Sequence, residues 1–350
     1  MVRIGFIGTG LISWAHGLSL KALIDAALLD ATVGAVHDED PARAQGFAAV
    51  FDAQVVSSAT EVAAASDLVW VCTPTSSHRG AVEAAAAAGC AIFCEKPLST
   101  DLASARTLVS VIESAGVPAQ SGLVLRAAPV FRALKELVAS GSLGRPMAAV
   151  FRDDQYFPTQ GTYASTWRGD VIQAGGGCLI EHSIHDVDIL RFCFGEVSSV
   201  AGRTAAFAEC PGIEDRATVT LSFTSGFEAH LTSVWHQILS RGSSRRIELF
   251  CEEGMVSLSN EWIGPLRIET TAGVEQRPCP PPEWLQDLSL GNEEIGLAVK
   301  PYTEAARGCV EAVADGRAPE PSVQEALVAH RIVDAAYQSS DLGGQPVALG

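Results

Sequence analysis

Lysine is nearly missing from this chain. Only four lysines occur in 350 residues, and 24 basic residues face 41 acidic ones for a net charge of −17. So acidic a chain lacks the basic stripe that nucleic acid or an anionic membrane surface requires. Long apolar runs are missing too. The longest, Ala84 to Cys94, falls short of the roughly 20 residues that span a bilayer. The nine cysteines are odd in number and form no CxxC pair, which argues against zinc spacings and a disulfide framework. They are expected to be reduced core thiols, with no metal bound. The first apolar stretch starts at Val2 and leaves no room for a signal peptide, so the expected compartment is the cytoplasm. Repeats and low-complexity linkers are absent; the one loose stretch, Pro278-Cys279-Pro280-Pro281-Pro282, reads as a stiff surface loop.

What is present suits a large core. Hydrophobic residues make up 47% of the chain, and its length suggests two domains at roughly 150 residues each. Short apolar stretches at 2–7, 31–37, 53–56, 67–72, 90–94 and 118–124 alternate with helical periodicity. That alternation predicts a parallel sheet with helices on both faces. From about Arg145 the texture changes. Ala217 to Phe223 and Glu228 to Trp235 alternate apolar and polar residues, the mark of antiparallel strands with one buried face. A helix near Gly177–Phe194 is expected to lie across that sheet, and helices near Glu294–Ala314 and Val323–Gln338 to close the chain. The expected architecture is α/β: a dinucleotide-binding domain over 1–124, then an α+β domain over 125–350 with an open, mostly antiparallel sheet.

The first strand, Val2 to Ile7, runs into Gly8-Thr9-Gly10-Leu11-Ile12. Glycines at this turn let backbone N–H groups approach a pyrophosphate, and the following helix points its positive end at it. Ser13 stands where a third glycine is usual; it is small enough to keep the helix near the sheet. The second strand ends at Asp38, 30 residues after Gly8. A carboxylate there accepts from the adenosine ribose and repels a 2′-phosphate, which favours NAD over NADP. Capping of the helix near Pro41 is the plainer alternative. The fourth strand opens into Thr73-Pro74-Thr75-Ser76-Ser77-His78, small hydroxyl residues that suit a nucleotide crevice.

The fifth strand ends Cys94-Glu95-Lys96-Pro97. Lys21, Lys135 and Lys300 sit in polar, helix-like settings where arginine would serve as well. Lys96 instead stands at the carboxyl edge of the sheet, where a compact, orientable ammonium can handle a hydroxyl proton. Further on, Glu181, His185 and Asp188 recur at i, i+4 and i+7 after Gly175-Gly176-Gly177, and so share one helix face, with His182 beside them. So polar a cluster in an amphipathic helix must face a cavity or a charge network. Acid/base chemistry is the expected use, a buried structural histidine the alternative.

These pieces together resemble the Gfo/Idh/MocA oxidoreductases, the group that includes glucose-fructose oxidoreductase and inositol dehydrogenases. The resemblance rests on Ile7-Gly8-Thr9-Gly10, Thr73-Pro74 with His78, Glu95-Lys96-Pro97, Arg126 with Pro129, Trp167-Arg168 and the helix from Gly175 to Asp188, and it covers nearly the whole chain. It implies a Rossmann domain and a C-terminal domain whose sheet forms homodimers or homotetramers. It implies cofactor contacts at Gly8, Thr9, Gly10, Leu11, Ile12, Asp38, Thr73, Pro74, Thr75, His78, Glu95 and Lys96. The family's catalytic lysine falls on Lys96 and its histidine on His185. Its aspartate falls on Glu181, a departure that lengthens the side chain by one methylene.

The expected activity is reversible oxidation of a secondary alcohol on a sugar or cyclic polyol. His185 acts as base, Lys96 assists at the same oxygen, and Glu181 orients or relays. Arg126, Trp167, Arg168, His182 and Trp235 are candidate substrate residues, with packing and surface pairing as the plain alternative. Rival readings are an NAD-dependent glycosidase using transient oxidation, a non-catalytic dinucleotide-binding regulator, and a reductase of a ketone, imine or tetrapyrrole.

Overall fold

The structure, a computed structural model, describes residues 1–258, 264–286, 288–290 and 293–350. The first stretch alternates β1 (Val2–Ile7), α1 (Leu11–Asp25), β2 (Ala31–His37), α2 (Pro41–Phe51), β3 (Gln54–Val55), α3 (Ala59–Ala64), β4 (Leu68–Val71), α4 (His78–Ala87), β5 (Ala91–Cys94), α5 (Leu102–Ala115) and β6 (Ala119–Ser121). Local chemistry sets several boundaries. Asp40 caps α2 through the Ala42 N–H at 2.9 Å, with Pro41 as the first helical residue. Asp101 caps α5, which Gly116 ends in the left-handed conformation. The six strands are parallel in the order β3-β2-β1-β4-β5-β6, the doubly wound arrangement whose direction of winding reverses between β1 and β4.

The next elements are α6 (Pro129–Ser140), β7 (Pro146–Tyr156), α7 (Val171–Ala174), α8 (Ile184–Phe194), β8 (Val197–Ala205), β9 (Arg216–Phe223), β10 (Glu228–His236), β11 (Ser244–Cys251), β12 (Gly254–Leu258), β13 (Leu266–Thr270) and β14 (Gly273–Arg277). The chain continues through α9 (Glu283–Gln286), α10 (Glu293–Ala314), α11 (Val323–Asp341) and β15 (Val347–Ala348). The second sheet has nine strands in the order β14-β13-β12-β11-β7-β10-β9-β8-β15. Every pairing in it is antiparallel except β7 with β10. One face carries the core: Phe151, Leu221, Leu231 and Leu249 from the strands meet Phe131 of α6, Val187 of α8 and Ile332 of α11. The other face is open, as the strict burial alternation along β9 and β10 shows.

The chain divides into two compact units, but not by one cut. Met1–Val124 is joined by Pro282–Leu327, while Leu125–Pro281 goes with Val328–Gly350. The expected segment 125–350 is therefore not a single body. The physical reason is α10, which packs along α1: Thr303 Oγ1 donates to Ser19 Oγ at 3.0 Å, and the Tyr302 ring stands edge-on to His16.

A second difference concerns the expected helix at 177–194. Its first part is a π turn, Cys178–His182, followed by α8 after Ser183. Glu214 explains the wide turn. Its carboxylate accepts from Gly177 N at 2.6 Å and Leu179 N at 2.9 Å, while its carbonyl takes Cys178 N at 2.9 Å. π turns of this kind are frequent at functional sites. No helix among the described residues is long and apolar enough to cross a membrane.

Candidate active site

The first unit gathers its candidates at the carboxyl ends of β1, β2, β4 and β5. Gly8 has φ +87°, and a Cβ there would lie 2.7 Å from the Cys72 carbonyl group, so conformation and contact both demand glycine. Gly10 precedes α1 and brings no side-chain acceptor, so the first N–H groups of the helix stay available to an anion. Ser13 turns its hydroxyl back onto the Gly10 carbonyl. Asp38 ties the turn together. Its Oδ2 accepts Thr9 N at 2.7 Å and Thr9 Oγ1 at 3.0 Å, and its Oδ1 accepts Asp40 N at 2.8 Å. A carboxylate has lone pairs beyond these three, enough for a ribose hydroxyl. Capping of α2 falls to Asp40, not Asp38. These features fit a dinucleotide.

His78 is buried, with Nε2 at 3.1 Å from the Thr73 carbonyl and Nδ1 at 3.3 Å from that of Leu98. It thereby ties the end of β4 to the loop after Lys96. Glu95 is buried as well, its carboxylate held by His16 and by the Lys96 N–H. Sequence reading gave Glu95 as a cofactor contact and passed over His16 altogether. A lone histidine inside an amphipathic helix gives no signal until the strand it meets is known.

The second unit carries the histidine. Three carboxylates lie between Glu181 and Asp188, and each is held by an arginine. Arg168 Nε donates to Glu181 at 2.9 Å, while its Nη1 reaches Ser165 and its guanidinium lies over the Trp167 ring. Arg126 grips Asp188 through two bonds of 2.8 and 2.6 Å. Arg245, itself buried, donates to Asp186 at 2.6 Å. His185, on α8, is buried. Of the two expected surroundings, a cavity or a charge network, these acids meet arginines from other elements.

Behind it, His182 Nε2 lies 3.0 Å from Arg245 Nη2 and 3.2 Å from Asp153. One nitrogen cannot accept from the first and donate to the second at once, so these are alternatives. Burial pushes the Asp186 carboxyl up to about 6, with Asp153 adding to the shift and Arg245 opposing it. Asp153, Arg245 and Glu214 were not found from the sequence, because each lies far along the chain from His185, while Asp186, beside His185 on α8, falls off the i, i+4, i+7 spacing. Trp235, expected beside substrate, lies in the core with its ring edge-on to Phe157 at 5.1 Å.

Residues 2–123 match the oxidoreductase family with an NAD-binding Rossmann fold, and residues 131–257 match the GFO/IDH/MocA C-terminal domain. The chain belongs to the GFO/IDH/MocA oxidoreductase family. It is an NAD-dependent oxidoreductase, and its cofactor is NAD. It is 30% identical over 349 residues to inositol 2-dehydrogenase of Rhizobium meliloti (strain 1021), covering 97% of this chain and 96% of that one. It is 31% identical over 351 residues to D-apiose dehydrogenase of Paraburkholderia graminis, covering 96% of this chain and 87% of that one. Among solved structures, a putative myo-inositol dehydrogenase from Sinorhizobium meliloti 1021 superposes with a TM-score of 0.79 at 26% identity, over 100% of both chains. Levoglucosan dehydrogenase in complex with NADH and levoglucosan superposes with a TM-score of 0.87 over 100% of this chain and 99% of that one; at 19% identity this likeness shows the fold alone.

Proposed function

We propose that this enzyme oxidises a secondary alcohol of a cyclic polyol or sugar, reversibly. The observation that carries the reading is the place of Lys96. It follows β5 directly at the carboxyl edge of the parallel sheet, one strand from the β1/β4 reversal where such sheets bind nucleotides. The near-full-length similarity to inositol 2-dehydrogenase supports the substrate class. NAD, when bound, supplies the hydride acceptor.

Gly8, Thr9, Gly10, Leu11 and Ile12 with the start of α1 hold the pyrophosphate; Thr73, Pro74 and Thr75 line the crevice. Asp38 takes the ribose and disfavours NADP, because the nearby Arg43 is held by Asp40 at 3.0 Å. His185 takes the hydroxyl proton, a task suited to an imidazole near neutrality. Lys96 donates to the same oxygen and stabilises alkoxide character as it develops. Glu181, its charge balanced by Arg168, orients His185. Trp167 and His182, both partly buried, meet the substrate, while Arg126 and Arg168 fix the carboxylates around it.

The test is a screen of inositols, aldoses and amino sugars, with NAD and NADP in parallel, followed by NADH absorbance. Lys96→Ala and His185→Ala each abolish turnover and leave NAD binding nearly intact; full activity in either variant removes the mechanism. NAD retained through purification without net NADH would favour the glycosidase instead.

We also infer that the open face of the second sheet docks a second copy. Val150 on β7 and Phe250 on β11 are 46% and 41% exposed there, with His230 and Glu248 on either side of Val150.

A further inference from the structure

The end of β5 covers a pair of polar groups far from solvent. His16 on α1 is fully buried, and its Nε2 lies 2.7 Å from Oε1 of Glu95, which is only 5% exposed. The other Glu95 oxygen accepts the Lys96 N–H at 3.0 Å. Gly122 makes room for the carboxylate, since a Cβ there would come within 2.8 Å of it. Rings wall in the imidazole: Phe93 edge-on at 4.8 Å, Tyr302 from α10 edge-on at 5.3 Å and Trp70 tilted at 6.0 Å.

His16 Nδ1 is buried and bonds to no described residue. A bare ring nitrogen costs less as a lone pair than as an N–H, and Nε2 faces a carboxylate, so the proton belongs on Nε2. The imidazole then donates to the Glu95 carboxylate through Nε2. Burial pushes the Glu95 carboxyl up, but the His16 hydrogen bond and electrostatics, then the Lys96 charge and N–H, outweigh it and hold the group below the usual carboxylate range. The neighbouring thiols, Cys72 after β4 and Cys94 on β5, are pushed up by burial and by Glu95, and stay neutral.

Buried ionic pairs add little net stability, and apolar side chains of the same volume often do as well. What this pair does provide is a fixed backbone and a fixed negative charge next to Lys96. We propose that His16 and Glu95 are positioning residues for Lys96: His16 locks the Glu95 carboxylate against the Lys96 peptide, and that carboxylate keeps the lysine protonated at the sheet edge. The consequence for turnover rests on the reading of Lys96 given above; the linkage itself can be measured without turnover.

The scarcity of lysine makes the measurement direct. The full chain, saturated with NAD, is reductively methylated with isotope-labelled formaldehyde, which leaves lysine charge intact. The four lysines and the N-terminal amine give five NMR signals to titrate, and Lys96→Arg identifies the one that matters. In Glu95→Gln the Lys96 midpoint falls by about one pH unit or more, the scale set by an opposite charge within about 4–6 Å. In His16→Phe it falls likewise, and His16→Gln, which still donates to Glu95, restores it. Far-UV circular dichroism and a thermal melt check that each variant is folded.

An unchanged Lys96 midpoint in Glu95→Gln overturns the proposal, and so does His16→Gln behaving like His16→Phe. If His16→Phe does not fold, Glu95→Gln against wild type decides alone. A midpoint that falls as expected while Lys96→Ala keeps full turnover removes the catalytic reading of Lys96 and leaves the positioning pair standing.

Discussion

Each acid between Glu181 and Asp188 is paired with one guanidinium, and Asp186 shows the cost of burying such a pair most clearly. Its carboxyl is pushed up to about 6 by burial despite Arg245. A carboxyl that titrates higher folded than unfolded binds more protons in the native state between the two values. Its contribution to stability is therefore present at low pH and lost as pH rises towards 6. Asp186→Asn removes this slope. Denaturant unfolding at several pH values between 4 and 7 should show the wild type losing on the order of 1–3 kcal/mol relative to the variant as pH rises. Parallel curves would mean that Asp186 is ionised throughout.

At the scale of elements, the segment holding His185 is shaped by a residue the helix does not contain. Glu214 accepts from Gly177, Leu179 and Tyr337, and burial pushes its carboxyl up against those bonds. Glu214→Ala leaves buried donors unmet and should cost about 2–4 kcal/mol in urea unfolding; Glu214→Gln, which keeps one acceptor oxygen, should cost less. Loss of the π turn without loss of stability would contradict this account.

The same case shows what could be read from residues alone. The parallel strands were legible because both their faces are buried and leave short apolar runs. The antiparallel ones were legible because Ala217 to Phe223 alternates strictly. Gly8 and Lys96 stood out by position. The π turn was not legible, since helical spacing assumes 3.6 residues per turn, and the group that widens it lies 37 residues away. The His16–Glu95 contact, across 79 residues, was hidden for the same reason.

For the whole molecule, the open sheet face makes association a matter of a few side chains. Val150 lies between His230 and Glu248 in the register of β10, β7 and β11. Val150→Arg can pair with Glu248, so the subunit keeps its fold, yet it places an uncompensated bulk in any face-to-face contact. Light scattering should then give the mass of a single chain, against a multiple of it for the wild type; a monomeric wild type ends the docking proposal. A different consequence follows from the return of residues 282–327 to the nucleotide-binding unit. A gene fragment stopping at residue 124 would leave bare the flank of α1 that Thr303 and Tyr302 cover. The coenzyme-handling half is thus no cassette to be shuffled by one crossover. Transplanting it into another scaffold means carrying two separate stretches of chain and rejoining them.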